Sequence, residues 1–131
     1  MEIYEYFLIT GNPTVSIGQN TYTQNIGNNI VIGCTVTSSP AHTSVSWTRK
    51  IGNNAAETIT ATGGTKYSIS SNIYAPSLTI YNVQESDEGV YTCFATNVVG
   101  TGQSNPPASL NVIGSMYHLY FIWKYVLKKV W

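Results

Sequence analysis

Few side chains in this sequence can carry out redox, metal or proton-transfer chemistry, and they lie far apart. There are two cysteines, Cys34 and Cys93, two histidines, His42 and His118, and a single aspartate, Asp87. A reactive dithiol or a thiolate metal site needs cysteines a few residues apart, or cysteines in the company of histidine. Neither pattern occurs. Two cysteines permit one bridge, and closing a loop of this length stabilises a fold by about 4 kcal/mol in a chain-entropy model. A structural bridge implies an oxidising compartment; free thiols in a reducing one are the alternative. Ser and Thr are plentiful, but no Gly-x-Ser-x-Gly elbow or phosphate loop accompanies them. His42 reads as a solvated residue of a polar loop, with a pH-sensitive contact as the sharper alternative; His118 lies outside the body, near the C-terminus. Acyl or group transfer needs a nucleophile, a base and a charge stabiliser in one cleft. The expectation is therefore a chain without catalytic, cofactor-binding or metal sites, and not an enzyme.

Composition narrows the partners. The 131 residues suit one domain with some twenty residues to spare at the ends. Formal charge is zero and 9% of residues are charged, so the clustered basic patch of a nucleic-acid binder is missing. Nucleic acid is not an expected partner. A secretory signal has a basic start and an apolar run of about 7–15 residues. Here Met1–Glu5 is acidic and the run Tyr6–Ile9 is short, so no signal is read, and the chain is expected to be a piece of a longer one.

The elements that must place Cys34, Cys93 and Asp87 are short β-branched runs divided by Gly, Asn, Ser and Pro, the texture of an all-β sandwich. Strands are expected at Thr14–Ile17, Tyr22–Ile26, Ile30–Val36, Thr43–Arg49, Lys66–Ser70, Ser77–Ile80, Val90–Thr96 and Ser109–Ile113, with a weak one at Thr58–Thr60. Alternation puts Ile32, Cys34 and Val36 on one face, Val45 and Trp47 on another, and Tyr91, Cys93 and Ala95 on a third. Trp47 thus points into the core beside the bridge. A hairpin is expected at Gly100–Gly102, and Pro106 and Pro107 should give the last strand an irregular, edge-like start.

From Leu78 to Gly100 the chain reads Leu-x-Ile-x-x-Val-x-x-x-Asp-x-Gly-x-Tyr-x-Cys-x-Ala-x-Asn-x-x-Gly, and Trp47 stands thirteen residues after Cys34. These residues resemble the immunoglobulin superfamily, and within it the I-set type of receptor and adhesion modules, over about residues 13–113. The resemblance implies a two-sheet antiparallel Greek-key sandwich with one inter-sheet disulfide, Cys34–Cys93. It gives Trp47, Leu78 and Tyr91 to the core and corner, with the Tyr91 hydroxyl returning to backbone just upstream. Gly89 suits a position where a side chain would interfere. For Asp87 it implies a base about twenty residues earlier, which is Lys66, and hence a structural Lys66–Asp87 ion pair rather than a catalytic carboxylate. The Cys34–Cys93 separation is shorter than in variable-type antigen-receptor domains, which makes full variable architecture the second choice. Asn12 is followed by Pro13 and no other Asn has Ser or Thr two places on, so N-glycosylation is not expected.

Three parts follow: an extension over 1–12, the immunoglobulin-like domain over 13–113 and an apolar, basic tail over 114–131. On a helix the tail gathers Met116, Leu119, Trp123, Val126, Leu127 and Val130 on one side and Lys124 and Lys128 on another. That is an amphipathic pattern suited to a membrane surface or a partner. The apolar run of the tail is too short for a span. Membrane contact through residues 116–131 is the lesser expectation, and an incidental tail the greater.

The resemblance implies a non-catalytic protein–protein recognition module of a cell-adhesion, matrix or receptor protein. Its place is extracellular or at the cell surface, and its partners are proteins, through homophilic contact or in tandem immunoglobulin-like arrays. An intracellular filament-type module and a variable-type immune receptor domain are the alternatives. The loops Ser38–Thr43 and Val98–Ser104 are the expected contact surfaces, with the charge-poor sheet faces as a further option.

Overall fold

A computed structural model describes residues 11–61 and 64–114, together with 123, 124, 126 and 128 of the tail. Eleven short strands build the body. They are β1 (Thr14–Ile17), β2 (Thr21–Asn25), β3 (Ile30–Ile32), β4 (Cys34–Thr37), β5 (Ser44–Lys50), β6 (Glu57–Thr58), β7 (Tyr67–Ile69), β8 (Leu78–Ile80), β9 (Gly89–Thr96), β10 (Thr101–Gln103) and β11 (Ala108–Ile113). A 3-10 turn, Glu85–Asp87, leads from β8 into β9.

Two layers face each other. One comprises β1 paired with β4, and β3-β8-β7. The expected strand Ile30–Val36 is broken at Gly33, so β3 and β4 continue one another through that residue. At the break the Gly33 amide donates to the Tyr22 hydroxyl, and its carbonyl accepts from the Gly18 amide. The other layer runs β2-β11-β9-β5-β6, with β10 also on β9. Every ladder is antiparallel except β2 on β11, which is parallel from Thr21 opposite Ser109 to Asn25 opposite Ile113.

Alternation sets the interior. Ile32, Cys34 and Val36 from one layer meet Trp47, Tyr91, Cys93, Ala95, Ala108 and Leu110 from the other, all buried. The Cys34–Cys93 disulfide ties the layers through this core. Trp47 lies against the core with its indole N–H donating to the Pro76 carbonyl at 2.7 Å, so the one polar atom of a buried ring is satisfied.

Two expectations are corrected. The hairpin turn falls at Asn97–Gly100, and Thr101-Gly102-Gln103 is strand rather than turn. The reason is Asn97: its Oδ1 accepts from the Val99 and Gly100 amides, so the turn begins three residues earlier than the glycine pair suggests. His42 is not solvated but buried, for reasons given below. In the tail Trp123, Lys124, Val126 and Lys128 have helical backbone. The other residues of the expected helix, Met116, Leu119, Leu127 and Val130, lie outside the described residues.

Candidate functional site: a charged corner and an uncharged loop end

All seven charged side chains between residues 11 and 114 (Arg49, Lys50, Glu57, Lys66, Glu85, Asp87 and Glu88) lie toward one half of the sandwich. There the 3-10 turn presents Asp87 inward, its side chain only 2% exposed. Lys66 Nζ stands 2.5 Å from Asp87 Oδ2 and also donates to the carbonyls of Tyr81 and Asn82. The Gln84 amide donates to the same Oδ2 at 2.7 Å, and Arg49 lies 3.8 Å from Oδ1. Tyr91 then donates its hydroxyl to the Asp87 carbonyl at 2.7 Å. Both hydrogen bonds converge on Oδ2, a cation faces Oδ1, and the side chain is almost wholly buried, which is the arrangement of a structural carboxylate.

Arg49 is the member that sequence reasoning missed. Its Nε meets Glu57 at 2.6 Å and its Nη1 donates to the Tyr67 hydroxyl at 2.8 Å. The signal was available: Arg49 shares a face with Trp47 by the period of two and stands opposite Tyr91 in the ladder. Burial raises the pKa of both Tyr67 and Tyr91, more strongly at Tyr91. These phenols stay protonated at neutral pH: Tyr67 accepts from Arg49, and Tyr91 donates to the Asp87 carbonyl. Gly89 lies beside this corner because a Cβ there would sit 2.6 Å from the Lys50 carbonyl.

The opposite end is built by residues 11–13, the β4–β5 loop, the β7–β8 loop and the β9–β10 turn. Asn97 is 5% exposed and its amide reaches the Gly11 carbonyl at 2.7 Å, the Pro40 carbonyl at 3.1 Å and Ser38 Oγ at 3.2 Å. One side chain therefore closes its own turn with its oxygen and fastens the neighbouring loop with its nitrogen. The Gly11 amide donates to the Ser39 carbonyl, so the chain enters the domain at this end. His42, 3% exposed, points inward from the β4–β5 loop and meets the Ile73 carbonyl at 2.6 Å, its ring edge-on to Tyr74 at 5.0 Å. That contact draws a polar-loop histidine out of solvent. Around these anchors Val98 is 83% exposed, with Val99, Ile73 and Tyr74 exposed as well.

Of the two loops expected to make contacts, Ser38–Thr43 is partly sunk by Ser38, Pro40 and His42, while in Val98–Ser104 the exposed apolar part is Val98–Val99, Thr101 and Gln103 are exposed as well, and Ser104 is buried. Ser104 bridges to the bridge cysteine: its Oγ accepts from the Cys93 amide at 3.0 Å and its own amide donates to the Cys93 carbonyl at 2.9 Å. Nothing in its sequence neighbourhood signalled that duty. Among the described residues no group of three or more His, Cys, Asp or Glu side chains could hold a metal ion.

The inter-layer disulfide, the Trp beside it and the tyrosine corner coincide with one domain family. A family model for the immunoglobulin domain matches residues 12–97. The chain belongs to that family. V-set and immunoglobulin domain-containing protein 10 of Xenopus laevis is 34% identical over 86 residues, covering 65% of this chain and 16% of the relative. The protein of the same description from Danio rerio is 39% identical over 83 residues, covering 63% of this chain and 14% of the relative. The match thus spans less than a fifth of the length of these curated relatives. Modules of this family generally mediate protein–protein contact and are generally non-catalytic. No helix among the described residues is long and apolar enough to cross a membrane.

Proposed function

We propose that this chain is a non-catalytic recognition module of a cell-surface or extracellular protein, that it binds protein, and that the uncharged loop end is its contact surface. The observation that carries this reading is the division of labour within the domain. The groups capable of chemistry are engaged in the scaffold: Asp87 with Lys66, Cys34 with Cys93, and His42 with Ile73. Exposed apolar side chains at Val98, Val99, Ile73 and Tyr74 instead crown an end held firm by Asn97. A pre-ordered apolar tip loses little entropy on binding and needs no charge desolvation. The intact bridge supports an oxidising location, and the relatives' description as immunoglobulin domain-containing proteins supports a modular parent. Assignment to the I-set is part of this proposal and rests on Asp87, Gly89, Tyr91, Cys93, Ala95, Asn97 and Gly100.

The test presents the chain multivalently. Beads coated with it probe self-recognition, and fluorescent tetramers on a panel of cell lines probe foreign surface proteins. Binding is expected in at least one arm, abolished on cells by trypsin and reduced at least tenfold by Val98→Asp with Val99→Asp at unchanged thermal stability. Absence of binding in both arms, trypsin-resistant binding, or indifference to the two substitutions would overturn the reading.

A further inference from the structure

His42 is a buried polar group whose bonding is half complete. The Ile73 carbonyl can only accept, so the 2.6 Å contact requires the proton on His42 Nε2. In the neutral ring Nδ1 then carries a lone pair, and it is buried without a hydrogen-bond partner among the described residues. An unused acceptor is tolerated at modest cost. A second N–H at that position would be a buried donor facing no acceptor, and the ring would carry a charge. The segments that form this end, residues 11–13, 36–46, 70–77 and 96–101, contain no Asp, Glu, Lys or Arg. Tyr74 is their only other titratable side chain, and it offers His42 the edge-on aromatic contact rather than a carboxylate. Among the described residues of this end no counter-ion is built in.

We propose that neutral His42 is an acid-released latch that holds the β7–β8 loop onto the β4–β5 loop. Imidazole side chains change charge between about pH 5 and 8. Protonation favours the conformer in which the ring reaches water, which breaks the bond to Ile73 and frees Ile73 and Tyr74. Three further bonds hold the same loop: the Val36 amide donates to the Tyr74 carbonyl at 2.9 Å, the Trp47 indole donates to the Pro76 carbonyl, and the Cys34 amide donates to Ser77 Oγ at 3.4 Å. The first adjoins the latch directly. The others lie further along the loop and keep it tethered when the latch opens. Acidification therefore loosens the apolar end and leaves the sandwich folded.

Amide exchange in the full chain, expressed as protection relative to the intrinsic rate, reads this directly. Between pH 7.5 and pH 5.0, Val36 protection is expected to fall at least tenfold. Gly27, whose amide donates to the Val83 carbonyl at the opposite end, is expected to change by less than threefold. His42→Gln keeps an amide donor for Ile73 and cannot titrate, so it should remove most of the fall at Val36. Equal losses at Val36 and Gly27, no loss at Val36, or the same loss in H42Q would each overturn the latch. Should H42Q fold poorly, NMR titration of the wild-type His42 ring serves instead. Its protonation should track the loss of Val36 protection, and protonation with protection retained would overturn the proposal. Neither measurement involves a binding partner, so the latch can fail while the recognition reading stands, and the reverse.

Discussion

A lone aspartate draws suspicion as a general base, and its neighbours decide the matter. At Asp87 the 3-10 turn buries the carboxylate, and Lys66 Nζ and the Gln84 amide both converge on Oδ2. Breaking a buried pair by removing one partner is costly, because the remaining charge is left without compensation. Here the loss is moderated in two ways: Lys66 is 37% exposed, and Arg49 remains 3.8 Å from the other oxygen. Lys66→Ala should therefore lower unfolding stability by about 1–2 kcal/mol, measured by urea denaturation at neutral pH. An unchanged midpoint would show that the pair contributes nothing. Lys66 was legible because the spacing to a family motif pointed to it. Arg49 was less so: its register position shows that it faces the core side, but not which groups so long a side chain will reach. His42 was misread for a related reason: composition of the loop Ser38–Thr43 says polar, whereas the acceptor that draws the ring inward, the Ile73 carbonyl, comes from a segment thirty-one residues away.

Strands were legible where alternation was strong, as in β4, β5 and β9, since period two with one buried face leaves little freedom of register. Turns were less legible, because they are fixed by hydrogen bonds that composition does not encode. The β9–β10 turn shows this. Its two glycines, Gly100 and Gly102, suggest the turn itself, yet Asn97 closes it, and the glycines instead make room for the entering chain. A Cβ at Gly102 would lie 1.8 Å from the Pro13 carbonyl, and one at Gly100 would lie 2.5 Å from the Asn12 side-chain oxygen. The first obstacle is backbone and the second is a side chain able to rotate. Gly102→Ala should cost about 1–3 kcal/mol, the range for overpacked sites, and should loosen the Asn12–Pro13 segment. Gly100→Ala should cost less than half as much. Thermal unfolding of the two variants side by side checks the order. A larger loss at Gly100 would mean that Asn12 is held more rigidly than backbone.

At the scale of the molecule, the sandwich is polarised: ion pairs brace one half, while the other is held by neutral hydrogen bonds and crowned with apolar side chains. The disulfide joins the two layers between these halves, with a sequence separation of 59 residues. In the chain-entropy view a cross-link acts mainly on the unfolded ensemble, so its contribution belongs to neither half. For a loop of this length the contribution is about 4 kcal/mol, a large share of the 5–15 kcal/mol typical of a folded domain. Replacing Cys34 and Cys93 together by Ala should remove about that much, read as a lower urea midpoint with a steeper slope, because the unfolded chain without the cross-link is more expanded. The loss should be uniform, with protection at Val36 and at Gly27 falling by similar factors, because both amides then exchange through the same global opening. Acid release of His42 would lower Val36 selectively, so the two perturbations give different patterns on the same pair of amides. A cysteine-free chain that lost protection only at the loop end would show that the bridge acts locally in the native state, and would contradict the unfolded-state account.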